Sequence, residues 1–184
     1  YEGRVLPDAE ILFVDRGFNV LGSGYSNEAG EYYLQINEIT NGSVISTHSY
    51  GEKYLAYTFA NVSTGTSHHI DVILGNVEFI HFTREMSGDR DTYTCRFQLA
   101  SLTRMRSGAL HLSPETERSF FEVRMDDQVL SEFELSHTSV KIQGKEATID
   151  NYLLSFKTSV KDRGKVLSLA YHRETDFGAL KTYL

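Results

Sequence analysis

Apolar side chains recur at every second position through much of the chain, which is the period of a β-strand. The stretch 30–36 shows it first, with Tyr32, Leu34 and Ile36 on one face. Residues 93–99 and 167–171 repeat the pattern. Each stretch predicts a strand with one buried and one solvated face, as antiparallel sheets have. No stretch of ten or more residues has a 3.6-residue apolar period, so we predict an all-β protein with at most a helical turn near Glu38 or at 177–181.

Two hairpins follow from the same alternation. The first places Phe121 opposite Phe133, with residues 126–128 as a three-residue loop. The second spans 140–149, where Gly144 supplies the positive φ of its turn. Clusters of Gly, Asn, Asp and Ser recur at intervals of about 8–12 residues, which is typical of a sandwich or a barrel.

A domain boundary is predicted at Gly75-Asn76, where one strand-like run ends and another begins. Residues 1–76 carry 3 basic and 9 acidic side chains, whereas residues 77–184 carry 15 and 16. The Gly-Asn pair is typical of a turn, so the two domains should pack against each other. We predict two antiparallel β-sandwich domains in tandem, at 1–75 and 76–184, the second with either an immunoglobulin-like or a jelly-roll topology.

Residues 3–74 resemble a carboxypeptidase regulatory-like, or transthyretin-like, domain. The resemblance rests on Gly3-Arg4-Val5 followed by Pro7 to Ile11, on Ser26-Asn27-Glu28-Ala29-Gly30-Glu31-Tyr32-Tyr33-Leu34, and on the closing Asp71-Val72-Ile73-Leu74. In the long motif, Ser26 and Asn27 close a turn, Gly30 takes a backbone geometry that other residues avoid, and Tyr32 and Leu34 enter the core. The resemblance implies a small β-sandwich with an extracellular accessory role and no catalytic residues.

Charge and cysteine content narrow the classes of function. The net charge is −7, and neither half offers the basic face that a nucleic acid partner requires. No run approaches the ~18 apolar residues of a membrane span, so we expect no membrane insertion. Cys95 is the single cysteine and lies in an alternating apolar run, which predicts a buried, unreactive thiol. The chain begins at Tyr1 with no targeting segment, as a mature or trimmed piece of a secreted or cell-surface protein would.

Paired carboxylates are the first candidates for chemistry. The three-residue loop would set Glu122 opposite Glu132 on the outward face, with Glu134 two residues further on. Carboxylates about 5–5.5 Å apart serve retaining glycosidases. An open sheet face with Arg124 nearby favours a solvated surface pair instead.

The candidate cation sites supply too few ligands. Asp126-Asp127 and Asp89-Arg90-Asp91 are typical of turns, and Ca²⁺ needs six to eight oxygens from a shaped loop. His68 and His69 would point to opposite faces of a strand, which leaves His69 with only Asp71 as a companion. We therefore predict no metal site and no cofactor.

No nucleophile stands beside a base in a known motif, and Gly22-Ser23-Gly24 lacks the Lys and the helix of a phosphate-binding loop. We therefore predict that the chain is not an enzyme. The remaining candidates are tyrosines expected outside the core, which stack on sugar rings or anchor protein interfaces: Tyr25, Tyr33, Tyr50, Tyr54 and Tyr57.

Two functions are compatible with these features. The first is a non-catalytic accessory or interaction module of a secreted or cell-surface protein, with the first domain as a spacer or stalk and a surface protein as partner. The alternative is a carbohydrate-binding module of a polysaccharide-degrading enzyme, with glycan bound by the second domain. The sequence singles out no ligand-binding residue for either function.

Overall fold

The computed structural model describes residues 3–88, 91–158, 162 and 164–184. Strands account for 51% of the chain and helices for 5%, which confirms the all-β prediction. The strands are β1 Glu10–Asp15, β2 Val20–Tyr25, β3 Asn41–Thr47, β4 Tyr57–Ser63, β5 Val77–Met86, β6 Thr92–Ser101, β7 Phe121–Met125, β8 Gln128–Val129, β9 Glu134–Lys141, β10 Thr148–Lys157, β11 Val166–Arg173 and β12 Asp176–Tyr183; the helix is α1 Leu102–Arg106, and a 3₁₀ turn spans Arg118–Phe120.

The strands form two sheets in a sandwich architecture. The larger has eight strands in the order β2-β1-β3-β4-β12-β11-β7-β8, and the smaller has four in the order β5-β6-β10-β9. Neighbours pair antiparallel except β12 and β4, which run parallel from Leu180 opposite Thr58 to Thr182 opposite Ala60. The last strand thus inserts beside β4, and the larger sheet continues across the predicted boundary at residue 75.

The buried apolar side chains form two clusters. One lies between the two sheets and is rich in the alternating residues of β6 and β11, Tyr93 to Leu99 and Leu167 to Tyr171, as their sequence pattern predicts. Phe97 and Tyr152 stack there with ring centroids 5.3 Å apart. The other cluster lies on the opposite face of the larger sheet, along β1, β3 and β4, and includes Leu74. Two extended segments, 31–37 and 67–74, lie over this second cluster and supply the half-buried Tyr32, Leu34, Ile36, Ile70 and Val72.

The predicted strand at 30–36 is extended but belongs to neither sheet. Its alternation is as expected, with Tyr32, Leu34 and Ile36 half-buried and Tyr33 exposed. Gly22 and Gly24 of β2 permit the close packing, since a Cβ at Gly22 would lie 2.3 Å from the Ile36 side chain. Burial is therefore set by packing onto β2 and the core, without a ladder of backbone hydrogen bonds.

The predicted register of the first hairpin is wrong. Met125 pairs with Gln128, so the loop has two residues, and Phe121 does not face Phe133. Asp126 takes a left-handed φ of 51° and binds the backbone of Val166 in both directions, at 2.7 and 2.8 Å. After Val129 the chain leaves the larger sheet and enters β9 of the smaller one.

The second predicted hairpin is confirmed, but the helical turn predicted at 177–181 is not. Lys141 pairs with Thr148, and Gly144 has a φ of +75° in the turn between them. Residues 177–181 lie in β12. The helix is α1 instead, where the Ser101 side chain accepts a hydrogen bond from the Arg104 backbone as an N-cap. Within the described ranges, no helix is long and apolar enough to cross a bilayer.

Candidate functional site

A groove of about 1060 Å³ lies between the two extended segments of the first 75 residues. Its floor is the face of the larger sheet that carries the second cluster, where Phe13, Val44 and Val62 are buried. One wall is the turn and extended segment from Asn27 to Ile36, and the other is the stretch from Ser63 to Asp71. We call this feature the groove.

The turn at Asn27 fixes the start of the first wall. The Asn27 side-chain oxygen accepts hydrogen bonds from the backbone N–H groups of Ala29 and Glu31, both at 2.9 Å. Gly30 has a φ of +73°, and a Cβ there would also lie 2.6 Å from the Val5 side chain. The motif predicted a turn that delivers Tyr32 to the core, and the chain folds in this way because only glycine fits at position 30.

Tyr32 connects the two walls. Its hydroxyl donates to the carbonyl of Ile70 at 2.7 Å, and burial raises its pKa to about 12. The second wall is held by His68, whose ring contacts the Ser63 carbonyl at 2.6 Å and the Tyr183 hydroxyl at 3.0 Å. The width of the groove is therefore set by side chains that link the walls to each other and to β12.

Two tyrosines at the groove present their rings to solvent, Tyr25 at the end of β2 and Tyr33 in the first wall. Tyr25 is 65% exposed and Tyr33 is 81% exposed. An exposed aromatic ring beside a groove is a surface on which a flat apolar face can stack. These are the two aromatic candidates from the sequence that the structure brings together.

The other three tyrosines lie outside the lining of the groove. Tyr50 is exposed and donates to Glu78 at 2.9 Å, and Tyr54 is half-buried beside the same loop. Tyr57 was expected at a strand end, but it is 2% exposed in the core. Its alternation with Phe59 on β4 was the signal for burial.

The described residues that line the groove combine polar and apolar side chains and include no Lys or Arg. Its carboxylates are Glu31 and Asp71 and its imidazoles are His68 and His69, while the other polar side chains that line it carry hydroxyl or amide groups. His69 contacts Asp71 at 3.4 Å, while His68 is bonded elsewhere, so the two imidazoles diverge as the sequence predicted. Across the described ranges, no three His, Cys, Asp or Glu side chains are arranged to hold a metal ion.

The paired carboxylates from the sequence are separated by the corrected hairpin register. Glu122 binds Arg124 on its own strand at 2.7 Å, which holds the pKa of its carboxyl below the usual range. Glu132 lies beyond the end of β8, and Glu134 begins β9 in the other sheet. This surface therefore offers no acid–base pair.

The remaining sequence candidates have structural roles. The carboxylate of Asp126 fixes the hairpin to β11, and Asp127 is exposed in the same turn. Asp91 binds Lys157 at 2.8 Å, while Asp89 and Arg90 lie outside the described residues. Cys95 is fully buried, and burial raises the pKa of its thiol to about 12, as expected of an unreactive cysteine.

A polar cluster around Asp150 was not predicted from the sequence. The Asp150 side chain is 4% exposed, and one of its oxygens contacts His137 Nδ1 at 3.1 Å and His111 Nε2 at 3.4 Å. The other oxygen accepts from Ser139, and the Asp150 backbone N–H donates to Ser113. Ser139 bonds to the carboxylate, and the hydroxyl beside an imidazole is that of Thr148, which lies 2.9 Å from His111 Nδ1 and donates to the Leu110 carbonyl at 3.3 Å.

The signal for this cluster was an aspartate at an inward position of an apolar alternation. Asp150 precedes Tyr152, Leu154 and Phe156 on the buried face of β10. A carboxylate there requires partners, because an unpaired buried charge is costly.

Comparisons with known proteins give no relative: no protein-family model matches the chain, and neither the curated proteins nor the solved structures include a significant match.

Proposed function

We propose that the chain is a non-catalytic accessory module of a secreted or cell-surface protein and that its groove binds a neutral glycan. The observation that carries the proposal is the pair of exposed rings, Tyr25 and Tyr33, beside a groove with hydroxyl and amide side chains. Pyranose rings have apolar faces that stack on aromatic rings and hydroxyls that bond to such polar groups.

The charge of the lining supports a neutral ligand. Two carboxylates and two histidines line the groove, and none of the lining side chains is a Lys or Arg. A polyanion would meet Glu31 and Asp71 without a compensating cation. The proposed glycan site thus lies in the first 75 residues, which the sequence predicted to be a spacer, and not in the second half.

The non-catalytic part of the proposal rests on where the carboxylates lie. Glu31 and Asp71 stand on opposite walls of the groove, and both are exposed. Catalytic carboxylates usually act from a site that is closed to water, whereas both of these side chains are open to solvent. The resemblance to carboxypeptidase regulatory-like domains supports the same accessory role and a location outside the cytoplasm.

Affinity electrophoresis tests the proposal. The chain would be run in gels containing one neutral polysaccharide each, with glucans, xylan, mannan and galactan as the panel. We expect slower migration in at least one gel and loss of that retardation in Tyr33→Ala and Tyr25→Ala. Truncation of a stacking tyrosine should weaken binding by up to about tenfold, since such a contact contributes about 0.5–1.5 kcal/mol.

Tyr50→Ala is the matched control, because Tyr50 is an exposed tyrosine outside the groove. It should migrate like the unaltered chain. The glycan proposal is overturned if no polysaccharide slows the chain, or if the retardation survives in the Tyr25→Ala/Tyr33→Ala double variant. Release of reducing sugar from any polysaccharide in the panel would overturn the non-catalytic assignment.

A further inference from the structure

A second, smaller concavity of about 180 Å³ lies between the tip of the β1–β2 hairpin and β5. Its lining comes from the start of β3, the middle of β4, β5 and β12, as well as from the hairpin tip. We call it the arginine pocket, because Arg16 and Arg84 both line it. It differs from the groove, whose lining has no Lys or Arg.

Neither arginine has a carboxylate partner among the described residues. Arg84 is half-buried, and its contacts are the Tyr93 hydroxyl at 3.3 Å and the face of the same ring. Arg16 is exposed and makes no ion pair in the described part of the chain. Guanidinium groups bind carboxylates through charge-assisted hydrogen bonds, and a half-buried one without a counter-charge is costly.

Asp15 is the one carboxylate in the lining, and its oxygens are already bonded. One accepts from the backbone N–H groups of Gly17 and Asn19, and the other accepts from the Asn19 side chain. These bonds, chiefly the one from the Asn19 side chain, lower the pKa of Asp15. The pocket is lined by two arginines and one carboxylate, so its net charge is positive, and the carboxylate is already bonded within its own turn.

Backbone irregularities surround this pocket. The β5–β6 register shifts between Ile80 and Thr83, and His81 has a left-handed φ of 52°. The β3–β4 register shifts between Gly42 and Val44, opposite Asn61 with its φ of 59°. Bulges and left-handed non-glycine residues concentrate at binding sites, where they re-aim side chains.

The bulge in β5 has a direct effect on Arg84. Before it, the odd-numbered Val77 and Phe79 are buried; after it, the even-numbered Phe82 and Met86 face inward. Arg84 is also even-numbered, so its side chain points to the same side of β5 as Phe82 and Met86 and lines the pocket. Without the extra residue, the alternation would direct this side chain into solvent.

We propose that the arginine pocket binds the carboxylate of an acidic sugar. Its neutral lining, with Asn41, Ser43 and Thr83, supplies hydrogen-bonding groups for sugar hydroxyls. A volume near 180 Å³ equals that of about six water molecules, which suits one sugar ring. Ala60 and Thr182 of the pocket lie on the opposite face of the larger sheet from Phe59 and Tyr183, which belong to or pack against the cluster under the groove, so the pocket and the groove are separate sites.

This inference rests on the proposed function in so far as the ligand is a glycan, but its test uses different residues. The ¹⁵N-labelled chain would be titrated with methyl glucuronide, with methyl glucoside as the neutral match and with a dipeptide that has a free carboxyl terminus. We expect saturable shifts of the Asn41 and Asn61 side-chain amides with the glucuronide alone, weakening as salt is added.

Arg16→Gln and Arg84→Gln should each weaken glucuronide binding by about fivefold or more. Arg124→Gln is the matched control, since Arg124 lies on β7, outside the lining of the pocket, and pairs with Glu122 of the same strand. Urea unfolding of each variant separates lost binding from lost folding, and Arg16→Gln removes an exposed side chain, so it remains informative if Arg84→Gln is unstable.

Three results would overturn the inference: no saturable shift with glucuronide, equal shifts with the neutral glucoside, or equal affinity in the unaltered chain and Arg16→Gln. Binding of the dipeptide with the same dependence on arginine would overturn the assignment to a sugar. Each of these results is independent of Tyr25 and Tyr33, so a failure here leaves the electrophoresis test of the groove unaffected.

Discussion

Replacing Asp150 with Ala should destabilise the protein strongly, because its carboxylate is buried and holds side chains from two other segments. His137 and Ser139 come from the edge strand β9, and His111 comes from the connection after α1. Removing the carboxylate leaves their polar groups without that partner and opens a space at the end of the core.

The magnitude follows from the contacts. A hydrogen bond to a charged group contributes about 1.5–3 kcal/mol, and the bonds from Ser139 and from His137 at 3.1 Å are the closer ones. The His111 contact at 3.4 Å is longer, and both imidazoles are partly exposed, so water replaces some of what they lose. We expect a loss of about 3 kcal/mol in the free energy of unfolding, or about 6–12 °C in Tm for a chain of this length.

Urea unfolding followed by tyrosine fluorescence and circular dichroism measures this loss. Asp71→Ala is the control, because that carboxylate is 77% exposed; its effect should stay below about 0.5 kcal/mol. Asp150→Asn keeps the shape and should cost less than Asp150→Ala. A loss for Asp150→Ala below about 1 kcal/mol, or no coupling to His137→Gln in a double-mutant cycle, would refute the role assigned to the cluster.

Three further predictions concern single positions. Phe18 is 77% exposed with a left-handed φ of 62°, so Phe18→Gly should relieve strain and raise stability by about 0.5–1 kcal/mol in urea unfolding. A Cβ at Gly178 would lie 2.2 Å from the Val77 carbonyl oxygen, so Gly178→Ala should lower Tm by several degrees. Burial raises the pKa of Glu78, so the folded protein holds a proton on this carboxyl more tightly than the unfolded chain does. Glu78→Gln should therefore raise Tm at neutral pH. This gain should disappear as the pH falls below the usual carboxyl value of 4.5.

Each of these has its own contradicting result. Loss of stability in Phe18→Gly would mean that the ring is held by packing. Gly88→Ala is the matched control for Gly178→Ala, because nothing lies within 4 Å of a Cβ there, and equal effects would remove the steric explanation. A Glu78→Gln gain that persists unchanged at pH 3 would show that charge on Glu78 is not its cause.

The sequence predicts burial better than it predicts hydrogen-bonded partners. Alternation placed Tyr93 to Leu99 and Tyr32 to Ile36 correctly as buried or half-buried faces. Only the first of these stretches joins a sheet, since a ladder depends on a neighbouring strand that local pattern does not specify. The hairpin after Phe121 was misjudged for the same reason: the backbone of Val166, forty residues beyond Asp126, fixes that turn.

The candidate sites show the same limit. Alternation predicted that Tyr33 faces outward, and Tyr25 was expected in a loop or at a strand end, but their meeting at one groove depends on how segments 31–37 and 67–74 cover the core. Arg16 and Arg84 are 68 positions apart and share a pocket because a bulge in β5 reverses the facing of Arg84. The switch from odd- to even-numbered apolar residues in β5 marks the bulge in the sequence, but it does not show that Arg84 then lies beside Arg16.

Glycan binding in the groove is tested most directly by mapping the ligand on the ¹⁵N-labelled chain with the neutral oligosaccharide whose polymer slows it in the gel. The largest amide shifts should fall in residues 25–36 and 62–71, with Tyr33→Ala abolishing them. Shifts confined to β6, β9 and β10, or no saturable shift with any oligosaccharide of the panel, would contradict a glycan site in the groove.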